Sequence, residues 1–274
     1  MEVGRLKKHL CVLFLLFIPI SIIAVNISGY IDKTNCIWGP IGSNAQIEAE
    51  CIYLTGDVIV PTDMTLSILP GTTIKANYID EPKLSAKNLY PQLEIAVYGR
   101  LEAIGTEEKP ICFSGTINNL GHWQGIFCEG ALKITYATIE DAISGITSAS
   151  AHIDISYSKF RNNQTGISLW GWQTSSIKNC LISENTDGIA SASAIASIEN
   201  NNIQNNNIGI KINFGEVAPK ITNNTFKNNT QYHIFNLCIT DVIAYPNFWD
   251  MPLDDLKNKL FDGRKEPEVG LVIY

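Results

Sequence analysis

Apolar residues recur in three aligned columns between residues 131 and 234. Ile139, Phe160, Ile182, Ile203 and Phe226 follow one another at steps of 21, 22, 21 and 23 residues. Five residues before each stands an isoleucine: Ile134, Ile155, Ile177, Ile198 and Ile221. Seven or eight residues after each stand Ile146, Ile167, Ile189, Ile210 and Ile234, preceded by Gly145, Gly166, Gly188, Gly209 and His233. Columns repeating at a period near 21 mark a stacked coil, in which no repeat buries its apolar face alone. The polar positions are rich in Asn, Ser and Thr beside β-branched residues, which disfavours helix and favours short strands. A helical solenoid would need apolar segments of roughly ten or more residues, two per repeat. The expectation is an all-β, single-stranded, right-handed parallel β-helix of about eight or nine coils, spaced about 4.8 Å apart.

Turn chemistry supports the same architecture. Asp141, Asn162, Glu184, Asn205 and Asn228 form one column, followed by Ala142, Asn163, Asn185, Asn206 and Asn229. Asparagine tolerates left-handed backbone, and stacked asparagines can bond from coil to coil. Another column reads Ala137, Ser158, Cys180, Asn201 and Asn224, which places Cys180 inward as a packed thiol. Tyr136 and Tyr157 share a column on the parity of Ile134 and Ile155, which predicts an interior stack.

The flanking chain divides around this array. Residues 26–55 read as an entry segment and 56–240 as coils, most regular over 123–240. Alternation broken by Pro70-Gly71 makes residues 56–74 strand, turn, strand. Residues 77–91 carry charges, Pro82 and no period, as a bulging loop does. Residues 241–274 read as a cap with a short helix, Leu253, Leu256, Leu260 and Phe261 lying on one face. Asp250 is its expected N-cap, Pro252 suits its first turn and Gly263 its end.

"GDVIVPTDMTLSILPGTTIKA", "GRLEAIGTEEKPICFSG" with "GHWQGIFCEG", and the tail "PNFWDMPLDDLKNKLFDG" resemble segments of exported β-helix proteins. Together with the repeats, they make residues 50–250 similar to the pectin-lyase-like superfamily. The resemblance implies the fold. It leaves the activity open, because that superfamily hosts lyases, hydrolases, adhesins and scaffolds.

Composition narrows the partners. The formal net charge of -7 argues against a nucleic-acid backbone, and no polybasic patch addresses anionic lipid. Arg5, Lys7 and Lys8 precede an apolar run from Leu10 to Val25. Residues 1–25 therefore read as an export signal cleaved after Ala24, or as an uncleaved anchor that is the one membrane contact. Export leaves Cys36, Cys51, Cys112, Cys128, Cys180 and Cys238. Cys36 with Cys51 is the favoured disulfide, against the alternative of buried thiols. No zinc spacing, calcium repeat, phosphate loop or nucleophile elbow occurs, so no metal or cofactor is expected.

Candidate chemistry is sparse. Asp141, Asp154, Glu184 and Asp187 are the carboxylates considered for glycosidic acid–base work. Asp141 and Glu184 are two coils apart, roughly 10 Å, with Asn162 between them, as turn residues in a column would be. Arg161 is the one arginine in the array, with no second base beside it. On the outer face, alternation turns Ser168, Trp170 and Trp172 outward, beside Thr147, Ala149, Ala190 and Ala192. Two tryptophans over small residues suit a sugar ring. The favoured reading is an exported, non-catalytic scaffold that binds a polysaccharide or surface glycan along its flank. Two alternatives stand beside it: a polysaccharide lyase or glycoside hydrolase completed by the 77–91 loop, and a purely structural surface module.

Overall fold

The structure, a computed structural model, describes residues 35–77 and 92–274. Residues 1–25, read above as an export signal or anchor, the entry residues up to 34 and residues 78–91 of the expected loop lie outside them. The chain winds into a parallel β-solenoid with three faces per coil. One coil serves as the pattern: His152–Ser156 lies on face 1, Lys159–Arg161 on face 2 and Thr165–Trp170 on face 3. Face 1 carries eight strands, and a two-stranded sheet of Val242–Ile243 and Val272–Ile273 continues its course, so ten coils stack. Faces 2 and 3 form one 18-stranded sheet, because a single residue turns the corner between them in most coils.

The three apolar columns are in register. Ile134, Ile155, Ile177, Ile198 and Ile221 are successive partners on face 1. Ile139, Phe160, Ile182, Ile203 and Phe226 are partners on face 2, and Ile146, Ile167, Ile189, Ile210 and Ile234 on face 3. All fifteen are at 0% exposure, and they form one continuous dry core.

Two corners are built on asparagine. At the corner between faces 2 and 3, Asp141, Asn162, Glu184, Asn205 and Asn228 all hold left-handed backbone, with φ from 52° to 66°. The next residue turns inward as a ladder. Asn163, Asn185, Asn206 and Asn229 each accept the N–H of the coil below through Oδ1, at 2.9 to 3.1 Å. Their Nδ2 groups donate to the carbonyls of Ile139, Phe160, Ile182 and Ile203. The corner between faces 1 and 2 repeats the device with Asn201, Asn224 and Asn247. Cys180 occupies this second ladder, 3% exposed, and burial pushes its thiol up to about 12.

Several expectations are revised. Among the described residues the parallel ladder runs from Cys36 to past Cys238, which makes ten coils rather than eight or nine. Tyr136 and Tyr157 do stack, with centroids 5.1 Å apart, but Tyr157 is half exposed rather than interior. Their φ values of 49° and 50° make them the corner residues themselves, so the side chains turn outward. The C-terminal helix is one turn, Leu253–Leu256, followed by a 3-10 turn Lys257–Lys259. Leu260–Phe261 leaves the helix to pair with Tyr232–Asn236, because an open sheet edge offers more hydrogen bonds than a second helical turn. Pro252 takes the N-cap position. Asp250 instead meets His233 Nε2 at 3.0 Å, and His233 Nδ1 receives the last ladder amide, Asn229 Nδ2, at 3.1 Å.

The expected Cys36–Cys51 staple is not formed, since Cys51 is a thiol. Cys36 stands opposite Tyr53, so Cys51 is offset by two residues along the neighbouring strand. That offset separates the two Cα atoms by about 8 Å, beyond the ~7 Å a disulfide spans.

Asn206→Ala strips the partners from the buried Asn185 amides and the Ile182 carbonyl. It should cost about 3 kcal/mol in urea unfolding. Asn205→Gly, one residue away in left-handed backbone, should stay within about 0.5 kcal/mol of the parent.

Candidate functional site

Two clefts lie on either side of the corner between faces 2 and 3. The first, of about 410 Å³, opens on face 3 and is lined by Phe127, Ile143, Ser144, Thr147, Ala149, Gln164, Thr165, Ser168 and Trp170. Strand alternation builds it. Ile167 and Leu169 are at 0% exposure inside, which forces Ser168 and Trp170 outward. Ser168 lies between Thr147 and Ala190 of the adjacent coils, and Trp170 between Ala149 and Ala192. These small neighbours leave the indole 54% exposed. Trp170 Nε1 donates to Ser168 Oγ at 2.7 Å, which folds the ring back along its own strand. Ser168 is thereby nearly covered, at 9% exposure. Its hydroxyl positions the tryptophan, while Thr147, Thr165 and Gln164 bring hydroxyl and amide groups to the cleft.

Trp172 does not line this cleft. It stands beyond Gly171 on the corner leading back to face 1, 62% exposed. Ile195, Phe214 and Ile239 are likewise exposed apolar side chains beyond the face 3 strands of the later coils, though not in register with Trp172. Alternation alone places both tryptophans outward. Gly171, at φ 93°, breaks the strand between them and carries Trp172 round the corner.

The second cleft, of about 370 Å³, is lined by Lys75, Ser114, Gly115, Thr116, Asn118, Glu140, Asp141, Arg161, Asn162 and Glu184. Arg161 has company that its position in the repeat does not reveal, since Lys75 reaches the same cleft from an earlier coil. Arg161 Nε donates to Glu140 Oε2 at 2.6 Å. Asp141 is 3% exposed and is spent on structure. Its Oδ1 accepts from Asn162 Nδ2 at 2.6 Å and its Oδ2 from the Gly115 N–H at 3.3 Å. Its carbonyl accepts the His122 N–H at 2.6 Å. Burial raises the Asp141 pKa, against the pull of the Asn162 hydrogen bond. Asp141 thus holds both ends of residues 116–121, Gly115 through its carboxylate and His122 through its carbonyl, and Asn118 Oδ1 between them accepts from Asn162 Nδ2 at 2.6 Å.

That segment is the partition between the clefts. Asn118 faces the polar side. Gly121, at φ 76°, sits so close to Gln164 that a Cβ would meet its Nε2 at 2.6 Å. Ile143 and Gln164, beside Gly121, belong to the tryptophan side. Asp154 and Asp187 join neither cleft: Asp154 lies on face 1, and Asp187 Oδ2 holds Lys211 Nζ at 3.1 Å on face 3. Among the described residues, no group of three or more His, Cys, Asp and Glu side chains is placed to hold a metal ion.

The family model described as "Right handed beta helix region" matches residues 115–247. No curated protein and no solved structure matches the chain.

Glu94 lies on face 3, two coils before Ser144, its backbone N–H donating to Asp57 Oδ1 at 3.0 Å. Burial first, and the Asp57 charge second, push its carboxyl up to about 7. The folded state therefore holds this proton more tightly than the unfolded chain. The stabilisation is complete below the unfolded value of about 4.5 and is lost as pH rises to about 7. Glu94→Gln should flatten the decline in Tm across that window, and raise Tm relative to the parent at about pH 8.

Proposed function

Residues 115–247 are a right-handed β-helix region within a longer parallel solenoid, and from that premise we propose that the protein is an exported, non-catalytic scaffold that binds a glycan on face 3. The observation that carries this reading is the fixed indole of Trp170, tied by Ser168 above a floor of small side chains. Its N–H is already satisfied, so what it offers a ligand is a flat apolar ring. The C–H face of a pyranose fits such a ring, and the hydroxyl rim of the sugar suits the nearby Thr147, Thr165 and Gln164. A few placed polar groups around an apolar wall are the usual composition of a small-molecule site. A ring held before the ligand arrives has less freedom to lose on binding.

Export is supported by the basic residues 5–8 and the apolar run that follows them. The non-catalytic part rests on how two of the three carboxylates beside Arg161 are used, Glu184 being the third. Asp141 clamps a loop, and Glu140 pairs with Arg161. A general acid or base needs a proton position open to substrate.

A glycan array probed with the parent, Trp170→Ala, Ser168→Ala and Trp172→Ala tests the reading. The parent should be retained by a definable set of glycans. Trp170→Ala should weaken that retention roughly 30-fold or more, as loss of a central aromatic anchor does. Ser168→Ala should weaken it by a factor of about 2 to 10, the worth of one hydrogen bond. Trp172→Ala should bind like the parent. Retention of no glycan by the parent, or full retention by Trp170→Ala, overturns the proposal. New reducing ends or unsaturated products in the eluate would replace it with the enzyme reading.

A further inference from the structure

We propose that His233 is an acid-sensitive latch: as the neutral ring it ends the asparagine ladder and fastens the C-terminal cap, and as the imidazolium it releases residues 248–262 from the last coils while the lower coils stay wound.

His233 is an exception in its own column, which otherwise reads Gly145, Gly166, Gly188 and Gly209. Glycine stands there because the ladder leaves no room. A Cβ on Gly166, Gly188 or Gly209 would meet the Nδ2 of the ladder asparagine in the next coil at 3.3, 3.2 and 3.1 Å, and the carbonyl of residue 188, 209 or 233 at 2.5 to 2.6 Å. Above Asn229 the chain departs into the cap. Counting on from Phe226 opposite Trp249, Pro252 falls where the next asparagine would stand. The His233 ring, at 0% exposure, takes the last partnership of the ladder instead.

The ladder has a fixed direction. Asn185, Asn206 and Asn229 each receive on Oδ1 both the backbone N–H and the Nδ2 of the asparagine below. Every Nδ2 therefore points up the stack, and the topmost, Asn229 Nδ2, donates to His233 Nδ1 at 3.1 Å. Nδ1 must be the acceptor of a neutral ring, and Nε2 carries the proton given to Asp250 Oδ1 at 3.0 Å. A second proton would go on Nδ1 and set two donors face to face. Turning the Asn229 carboxamide over would mend that contact, but would leave the backbone N–H of Asn206 against an NH2 group, and a backbone N–H cannot turn. The ladder cannot adapt, so the ring has to move.

What moves with it is the cap. Asp250 Oδ2 accepts the Asn228 N–H, and Trp249 packs on Phe226 at 4.7 Å and against His233 at 5.8 Å. Phe248–Trp249 and Leu260–Phe261 are the strands laid on Thr225–Lys227 and Tyr232–Asn236, whose edges they cover. Two charged groups act on the ring. Asp250 favours the imidazolium, and Lys259, with its Nζ on the carbonyls of Asn229 and Thr230 at 3.0 and 2.7 Å, disfavours it. Burial outweighs both and lowers the imidazole pKa. The closed cap therefore binds this proton less tightly than the open one. The latch holds fully above the open-state value of about 6.5 and is lost as pH falls through the lower, closed-state value. Glu94, far down the stack, acts in the opposite sense with pH.

The test is hydrogen exchange of the full chain at pH 7.5 and pH 5.0, each amide corrected for its intrinsic rate. Protection of residues 248–262 should fall by about fivefold or more at pH 5.0, while residues 152–183 keep theirs. His233→Asn keeps an acceptor for Asn229, and His233→Gln keeps a donor for Asp250. Neither titrates, and both should lose the pH dependence. Asp250→Asn should retain it from a lower baseline. Equal protection of 248–262 at the two pH values overturns the proposal, as does a fall that persists in either His233 variant or one shared by all coils. Loss of the fall in Asp250→Asn assigns the trigger to the carboxylate and overturns it too. If the His233 variants do not fold, the imidazole titration of the parent by NMR decides: a His233 midpoint below about 6.5 is expected, and one at or above it overturns the latch.

Discussion

A tube of parallel strands has to turn its backbone through sharp corners while keeping each corner amide out of water, and that constraint shapes this protein. Strand amides pair with the coils above and below. The corner amides face inward, where an unpaired N–H is costly. Inward asparagines answer both halves of the problem. Each Oδ1 takes an N–H and each Nδ2 reaches a carbonyl of the coil below, so one side chain satisfies two buried groups. The ladder also fixes register, since a slipped coil would break bonds at both corners together. Where it ends, His233 passes its last hydrogen bond to Asp250 at the edge of the cap.

Because the interior is fixed in this way, the outer faces can vary without cost to the fold. Along face 3, one buried column is isoleucine in every coil from Ile126 to Ile234 and the next is Cys128, Ser148, Leu169, Ser191 and Ile212, while the outward neighbours vary among Thr, Ser, Ala, Lys, Trp and Phe. A ligand surface on such a face is rigid, since each outward side chain is held by an inward one beside it. The polar cleft on the other side of the corner shows the contrary use of charge. There the buried Asp141 is committed to Gly115 and Asn162 through its carboxylate and to His122 through its carbonyl, at the two ends of residues 116–121. Chemistry that looks catalytic in composition is structural in connectivity.

The two clefts also differ in what they ask of a ligand. The polar one holds the Arg161–Glu140 ion pair, which a ligand engaging Arg161 would have to displace. The tryptophan cleft presents an apolar ring and uncommitted hydroxyls, which demand shape rather than charge. That difference favours face 3 as the place of the proposed glycan contact.

Much of this architecture is legible in the residues alone. The period, the three apolar columns, the inward asparagines and Cys180, and the outward turn of Ser168 and Trp170 all follow from alternation and spacing, because a solenoid makes sequence period and spatial period the same thing. What escapes is whatever depends on contacts between distant coils. Tyr136 and Tyr157 read as interior until left-handed backbone turns them out. Leu260 and Phe261 read as helix until an open sheet edge claims them. Lys75 joins Arg161 from three coils earlier, and Gly171 sends Trp172 to a different corner from Trp170. Local preference and period dictate a coil and its repeat; which side chains converge on a cleft, and which are spent holding a loop, is set when the coils stack and compete for the same partners.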